Sequence, residues 1–365
     1  MKITVNPRKL RAAVSQARRA LPVYPDKPAD ECIVIHAGYG SVSVYAEGKH
    51  FRTVVRIPDA AIEEEGFVTV TGKKMDNVLK AFEKTVSISG PCDTDSNAKE
   101  IILSSDGCEY ALPHVDIEMQ HDFMPGFATP AIGEINADII SRVIYAAASD
   151  EVKNIALQGI RFSGEAIVAT NGQRLACYDF PLSVPVAFTI HRNVLTEVSS
   201  LGQATIRAIV GDDPLKEVTF TSGNIGIACN PIDRGYPDYQ RIAPAEGFKQ
   251  HITVKRWPLL RALLGAAAIC DQDTRVVRLT FSDEVVISTT DVDFGRMVEA
   301  IPLVTPVNDL QEAFYFNVSY LTDIISHVKS KEVVFRLCEP NKVAMLRDGD
   351  YGYCFVMPIR QQEGR

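Results

Sequence analysis

The chain has no long apolar run. Nowhere in its 365 residues do the about eighteen consecutive apolar positions of a membrane-crossing helix occur. Its first residues, MKITVNPRKL, carry no apolar signal core and already alternate like a strand, so secretion is not expected. The eight cysteines (Cys32, Cys92, Cys108, Cys177, Cys229, Cys270, Cys338 and Cys354) form no CxxC pair. Most lie within apolar runs, which reads as buried, reduced thiols in a cytoplasmic protein rather than disulfides or zinc ligands. The seven histidines are scattered, with no HExxH and no Ser-His spacing. GFVTVTGKK resembles a phosphate loop, but five residues separate Gly66 from Gly72 where that loop has four. Gly38 and Gly40 lack the third glycine of a dinucleotide fingerprint and read as a hairpin turn. Asp291-Val292-Asp293 and Asp271-Gln272-Asp273 have the chemistry to hold a divalent ion, yet such short patterns arise often by chance and read as solvated loops. Asn317-Val318-Ser319 matches a glycosylation acceptor, irrelevant to a cytosolic chain. No catalytic residue, metal or cofactor is expected.

What is present is a repeat. At this length two or three domains are expected, and 46% hydrophobic residues suffice for well-formed cores. Three segments share an alternating strand that runs directly into an amphipathic helix: MKITVNPRKLRAAVSQARRAL, IGEINADIISRVIYAAAS and HITVKRWPLLRALLGAAAI. Aligning Ile3, Ile135 and Ile252 gives offsets of 132 and 117. A second set, FVTVTGKKMDNVLKAF, AFTIHRNVLTEVSSL and FYFNVSYLTDIISHV, falls about midway, its first residues spaced by 120 and 127. Between the helices, SVSVYAEG, KEVTFTSGNIGIAC and VVRLTFSDEVVISTT alternate with period two and break at turn residues. DFMPGF, YPDYQRIAP and VMPIR close the three thirds. The expected fold is therefore α+β, three tandem copies of one domain at 1–125, 126–247 and 248–365.

Charge follows the repeat. The net charge of −8 argues superficially against a nucleic-acid partner. Over the helical spans 7–22, 72–84, 136–149, 191–201, 254–269 and 317–331, however, sixteen Lys and Arg face five acids, so the helices carry +11 and the rest −19. Span 7–22 has five cations and no acid, whereas an ordinary solvated helix mixes signs. Such segregation suits a polyanion met by the helices. Arg8, Arg11 and Lys255 are the cations assigned to it from charge alone. Aromatic residues are not interleaved with the cations, so sequence-blind contact with duplex DNA is favoured over base stacking. One local feature stands apart: in AIVATNGQRLACYDF, Asn171-Gly172 joins two apolar runs, which predicts a tight type I′ hairpin with Gln173-Arg174 beside it.

With the repeat and the basic helices in hand, the stretches ATNGQRLA (169–176), YPDYQRIAP (236–244), FNVSYLTDII (316–325), VMPIR (356–360) and AAAICDQDTRVVRL (266–279) make the chain resemble the bacterial DNA polymerase III beta subunit family, the sliding clamps. The resemblance runs the whole length in order and spacing. It implies three clamp-type domains, each of two β-α-β-β-β units, closing head-to-tail as a homodimer into a ring with helices inside and sheets outside. A non-catalytic processivity factor follows, one that encircles duplex DNA without sequence preference and is opened by an ATP-driven loader. It also implies a groove that receives short peptides from the polymerase III catalytic subunit, the loader, other polymerases and repair proteins. By residue, the groove matches Leu157, Thr170, Gly172, Gln173, Arg174, Leu175, Pro237, Arg241, Ile242, Asn317, Tyr320, Val343, Phe355, Met357, Pro358, Ile359 and Arg360. Lys73, Lys74 and Arg192 match DNA-facing positions, and the subunit interface pairs Ile269 and Cys270 with an edge strand around Tyr110 and Leu112. There are departures. The family usually has aspartate where Asn171 stands, and its chain usually ends one residue beyond Arg360, where QQEGR follows here. The loop PVYPDKPADE lacks a clear match to the family's DNA-contacting arginine, with Lys27 a candidate substitute. These keep a regulatory clamp-like paralogue as an alternative; a metal- or small-molecule-dependent enzyme on the same repeat lacks a convergent acid or histidine cluster.

Overall fold

The structure is a computed structural model that describes residues 1–90, 100–105, 107–116, 127–209, 215–243, 247–291, 295–305 and 310–360. DFMPGF up to its last residue, Cys92, Asp293 and the tail QQEGR lie outside the described residues. Each predicted strand–helix unit is present: Lys2–Val5 leads into α1 (Pro7–Ala17), Gly66–Thr71 into α2 (Gly72–Leu79), Ala131–Asn136 into α3 (Ala137–Ile144). Phe188–His191 leads into α4 (Arg192–Ser199), Gln250–Lys255 into α5 (Arg256–Ile269), and Leu310–Asn317 into α6 (Val318–His327). The strand passing straight into α2 at Gly72 leaves no phosphate-binding loop there.

Two compact units result. The first comprises Met1–Ala137 and Asn193–Pro231. Its smaller sheet orders the strands Ala61–Glu64, Lys2–Val5, Val86–Ser89, Glu100–Ser105 and Cys108–Pro113. Its larger sheet has eight strands, because Ile225–Cys229 pairs antiparallel with Arg52–Ile57 and so fuses two four-stranded sets. α1 shows why these helices form. Asn6 caps it by accepting from the N–H groups of Arg8 and Lys9, Pro7 presets the first turn, and Leu10, Ala13, Val14 and Ala17 form one buried stripe. The cations Arg8, Lys9 and Arg11 fall on the opposite, exposed side.

The second unit comprises Asp138–Arg192 and Ile232–Arg365. Arg174–Asp179 pairs antiparallel with Gly352–Val356, again fusing two sets into eight strands, with Leu175 opposite Phe355. Gly352 permits that approach, since a Cβ there would lie 2.4 Å from the Tyr178 ring and 2.6 Å from the Cys177 carbonyl. A second sheet orders Gly295–Pro302, Glu284–Asp291, Val276–Phe281 and Leu310–Asn317.

The helices end earlier than their composition predicts, and tertiary hydrogen bonds are the reason. Beyond α3 the alanine run turns aside because the Ala148 N–H donates to the Leu157 carbonyl. α6 ends at His327: the Val328 amide still donates to the Ile324 carbonyl, but the following amides, Lys329 and Ser330, donate to the carboxylate of Asp348. That carboxylate is fully buried and also accepts from the Ser330 hydroxyl at 2.8 Å and the Tyr178 hydroxyl at 3.1 Å. Replacing it strands four donors, so Asp348→Ala is expected to cost about 3 kcal/mol. The midpoint of urea unfolding checks this; a midpoint equal to that of the unaltered chain would contradict it.

Candidate functional site

In the eight-stranded sheet of the second unit, side chains alternate between faces. One face carries Val168, Leu175, Cys177, Val343 and Phe355, packed as a single apolar cluster. Ala166, Met345 and Tyr353 extend it two residues along the same strands, and Tyr236, Tyr239, Ile242 and Phe248 pack against it from the following segment. There a 3₁₀ turn, Tyr239–Ile242, lies across the sheet, while the Tyr236 hydroxyl donates to the Val168 carbonyl at 3.4 Å. Burial raises the Tyr236 and Cys177 pKa values, which keeps the floor uncharged. The rim is exposed at Gln173, Pro237, Arg241 and Met357. The five cluster residues are themselves at most 6% exposed, so the groups a short segment would meet are the partly buried Ile242, Met345 and Tyr353 and the exposed rim, an apolar surface with few polar groups.

The hairpin beside it differs from the sequence expectation in its turn. Gly172 has φ +88°, but Asn171 does not take positive φ, so this is not a type I′ turn. Instead the Asn171 side chain accepts from the N–H groups of Gln173 and Arg174 at 3.0 Å each, and Thr170 Oγ1 accepts from Gly172 while donating to the Arg174 carbonyl. An aspartate would make the same bonds through Oδ1, so Asn171 leaves the turn geometry intact.

Arg174 and Leu175 are successive strand residues and therefore project from opposite faces. Leu175 joins the apolar floor, whereas Arg174 turns to the helix-covered face. Its guanidinium pairs with Asp323 of α6 and donates to the Tyr145 carbonyl. It also lies 4.8 Å from the Tyr320 ring and 5.3 Å from the Tyr145 ring. Tyr145 stacks in turn on His327, centroids 4.5 Å apart, and its hydroxyl meets the Cys354 thiol at 3.2 Å. Burial pushes that thiol up to about 12. The cation is thus a strut that fixes Tyr320 and the end of the hairpin.

The remaining positions divide by role. Asn317 caps α6 by accepting from Ser319 and Tyr320 N–H groups. The Met357 N–H donates to the Gln173 carbonyl at 2.8 Å and the Ile359 N–H to the Tyr315 carbonyl at 2.7 Å, which tie down the segment through Pro358 and Arg360. Leu157 lies within the 3₁₀ turn Ile155–Gln158 and is half-buried. Sequence reasoning passed over Cys177, Tyr236, Tyr239, Met345, Tyr353, Tyr145 and Asp323. The period-two pattern alone carries the signal for Cys177, Met345 and Tyr353, each two residues from Leu175, Val343 or Phe355.

Among the cations, Arg8, Lys73, Lys74 and Lys255 are exposed. Arg11 is exposed but pairs with Asp76 at 3.0 Å, and both line a cleft of about 530 Å³ beside α1 and α2. Arg192 is half-buried and donates to the Ala148 carbonyl at 3.1 Å. Of the interface positions, Tyr110 lies on an edge strand and packs edge-on against Phe82, 5.5 Å between centroids. Leu112 and Cys270 are buried, while Ile269 is partly exposed at the end of α5. Asp271 closes its own loop by accepting from the Thr274 N–H and hydroxyl and from the Asp273 N–H, hydrogen bonds that lower its pKa.

Six strand–helix units, the fused antiparallel sheets and this arrangement define a protein of the sliding-clamp fold. A sliding clamp from Bacillus subtilis superposes with a TM-score of 0.87, at 20% identity over 99% of this chain and all of that one. One from Bartonella birtlesii, bound to griselimycin, does so with a TM-score of 0.81 at 21% identity, again over 99% and 100%. Residues 240–359 match the family model described as DNA polymerase III beta subunit, C-terminal domain. Over 387 aligned residues, covering 99% of each chain, the protein is 25% identical to the beta sliding clamp of Streptomyces coelicolor. The chain is thus similar along its whole length to beta sliding clamps, and over residues 240–359 to the C-terminal domain of the DNA polymerase III beta subunit. Since Arg174 and Asp323 are a hydrogen-bonded, partly buried pair, a double-mutant cycle of Arg174→Ala and Asp323→Ala is expected to show a coupling of about 1 to 3 kcal/mol. Additive effects in thermal unfolding would contradict the strut.

Proposed function

We propose that the chain is a DNA polymerase processivity factor, a homodimeric ring of three domains per subunit, at 1–125, 126–247 and 248–365. It encircles duplex DNA and tethers the replicative polymerase. The observation that carries this reading is the cationic excess of the spans around the six helices, on a chain whose full-length likeness is to sliding clamps. A ring holds DNA by topology, so its contacts need only be diffuse; Arg8, Arg11, Lys73, Lys74, Arg192 and Lys255 supply them by neutralising phosphates without reading bases. Such a role needs no catalytic residue, metal or cofactor. Among the described residues no helix is long and apolar enough to cross a membrane, and the reading places the protein in the cytoplasm with the nucleoid.

The subunit interface is assigned to the edge strand Cys108–Pro113 with Tyr110 and Leu112, and to the end of α5 at Ile269 and Cys270. Cys108–Pro113 and Gly295–Pro302 each end a sheet with one side unpaired among the described residues, and an unpaired edge is a template for pairing with another chain. Partner peptides are assigned to the apolar floor around Leu175, Val343 and Phe355, with Ile242, Pro237, Met357 and Pro358 as its walls and Arg174 holding Tyr320 in place. The clamp from Bartonella birtlesii is described as bound to griselimycin, which supports a ligand-accepting surface on this fold. The partners so assigned are the polymerase III catalytic subunit, an ATP-driven loader, and other polymerases and repair proteins.

Loading onto circular and then linearised DNA tests encirclement. Retention on circles with loss from linear ends is the expected outcome, and equal retention on both refutes it. For the groove, Arg174→Ala combined with deletion from Met357 onward is expected to abolish polymerase stimulation while the dimer persists in sedimentation. Undiminished stimulation refutes that assignment.

A further inference from the structure

Trp257 is the chain's single tryptophan, and 66% of it is exposed at the start of α5. An exposed indole on a helix surface is uncommon for a residue that is usually well buried. Its position is fixed from beneath. The guanidinium of Arg256 lies 4.7 Å from the ring centroid, and is itself held by donating to the Ile325 carbonyl at 2.9 Å and the Ser326 carbonyl at 2.7 Å. Those carbonyls belong to the last turn of α6, where backbone oxygens lack helical partners and the dipole attracts a cation. Arg256 is further anchored by its own N–H, which donates to the Lys331 carbonyl. A locked cation therefore supports one face of the indole and leaves the rest of the ring open to solvent.

The surroundings are cationic. Lys255 and Arg256 precede the indole, Arg261 lies one turn further along α5, and Lys331 is adjacent; α5 carries no acid. The neighbouring carboxylates are Glu299, paired with Arg261, and Glu332, opposite Lys255 in the strand ladder. The sequence reading found no aromatic residue interleaved with the helix cations; at the start of α5 there is one.

We propose that Trp257 is a stacking platform for unpaired nucleobases, the phosphates of the same strand being neutralised by Lys255, Arg261 and Lys331. Single-stranded nucleic acid offers both the π-face and the anion that this surface matches, whereas an intact duplex hides its base faces in the stack. The site rests on the reading that α5 faces DNA. It adds to that reading a preference for unpaired positions, such as those where single strand meets duplex.

Because Trp257 is the only indole, the intrinsic fluorescence of the full chain reports on it directly. Titration with an oligothymidylate of about 20 nucleotides is expected to quench the emission saturably, and a blunt duplex of the same length is expected to quench it far less. Binding of labelled oligothymidylate, read by anisotropy, is expected to weaken about 5- to 100-fold in Trp257→Ala and only a few-fold in Trp257→Phe, which keeps an aromatic face. Circular dichroism verifies that the variants are folded. Oligothymidylate that does not bind, binding without quenching, equal quenching by duplex, or a loss in Trp257→Ala of less than about twofold each overturns the proposal. So does an emission change on dilution of the protein alone, which would put the indole at a subunit contact. Retention on closed circles, measured alongside, separates the two failures: circles lost means the clamp reading fails, circles retained without quenching means only the stacking site fails.

Discussion

The antiparallel pairing of Arg174–Asp179 with Gly352–Val356 is the constraint on which the candidate site depends. It places Leu175 opposite Phe355, residues far apart in sequence, and so builds one continuous floor from strands that belong to different repeats. Register here is strict, since a slip of one residue would carry Leu175 and Phe355 to the helix face and bring Arg174 to the floor. Two features resist such a slip. Gly352 admits the Tyr178 ring, and any side chain shifted into its place would collide with it. Asp348, one turn earlier, is engaged by Tyr178 and by the amides that end α6. The floor, the hairpin and the end of the helix are therefore positioned by the same few bonds.

The two faces of that sheet do different physical work. On the floor the groups are apolar or neutral, and burial holds Cys177 and Tyr353 protonated over the ordinary pH range. On the helix face a polar chain runs from His327 through Tyr145 and Arg174 to Asp323, with Tyr178, Cys354 and Asp348 beneath it. A cation enclosed by two aromatic rings, a carboxylate and a carbonyl is costly to move, because each partner loses a hydrogen bond or stacking contact at once. That cost is useful here. If the surface receives flexible segments, as proposed, it binds them more tightly when its own walls are already ordered.

Much of the architecture was legible in the sequence, because alternation and helical periodicity survive divergence between repeats. Ile3 and Ile252 each stand four residues ahead of their helices, at Pro7 and Arg256, whereas Ile135 stands two ahead of Ala137, so the repeat is right in kind and off by two residues in register there. The helix ends were not legible. Ala146 to Ala148 have high helix propensity, yet a backbone bond to Leu157 ends the helix there, and no local signal encodes that partner. The same limit applies to the site. Leu175, Val343 and Phe355 were identified, but Tyr239 and Phe248 reach the floor only because the chain folds back across the sheet. Arg174 and Leu175 both match the groove, yet adjacent strand residues cannot share a face. The turn type was misjudged for a chemical reason: Asn-Gly suits type I′, but Asn171 also accepts two amide bonds, and that Asx geometry won.

Charge shows the strongest contrast between the averaged sequence and its arrangement. A net −8 conceals a cationic excess in the spans around the helices and an anionic remainder; much of that excess, including Arg18, Arg19, Lys80, Lys84, Lys255, Lys329 and Lys331, sits at or beyond the helix ends. The exposed helix cations are only partly neutralised within the fold. Arg11 shares Asp76 with Lys80, and Arg19 meets the buried Glu197, which also accepts from Gln16. Arg142 and Lys329 share Asp138, and those bonds hold its carboxyl below the usual range. Asp76 and Asp138 each serve two cations, which leaves a positive remainder beside each of them. In the proposed ring, such a remainder meets phosphates without reading bases. Diffuse attraction of this kind permits sliding, and specificity has to come from elsewhere on the chain, where the surface is apolar, shaped and rigid.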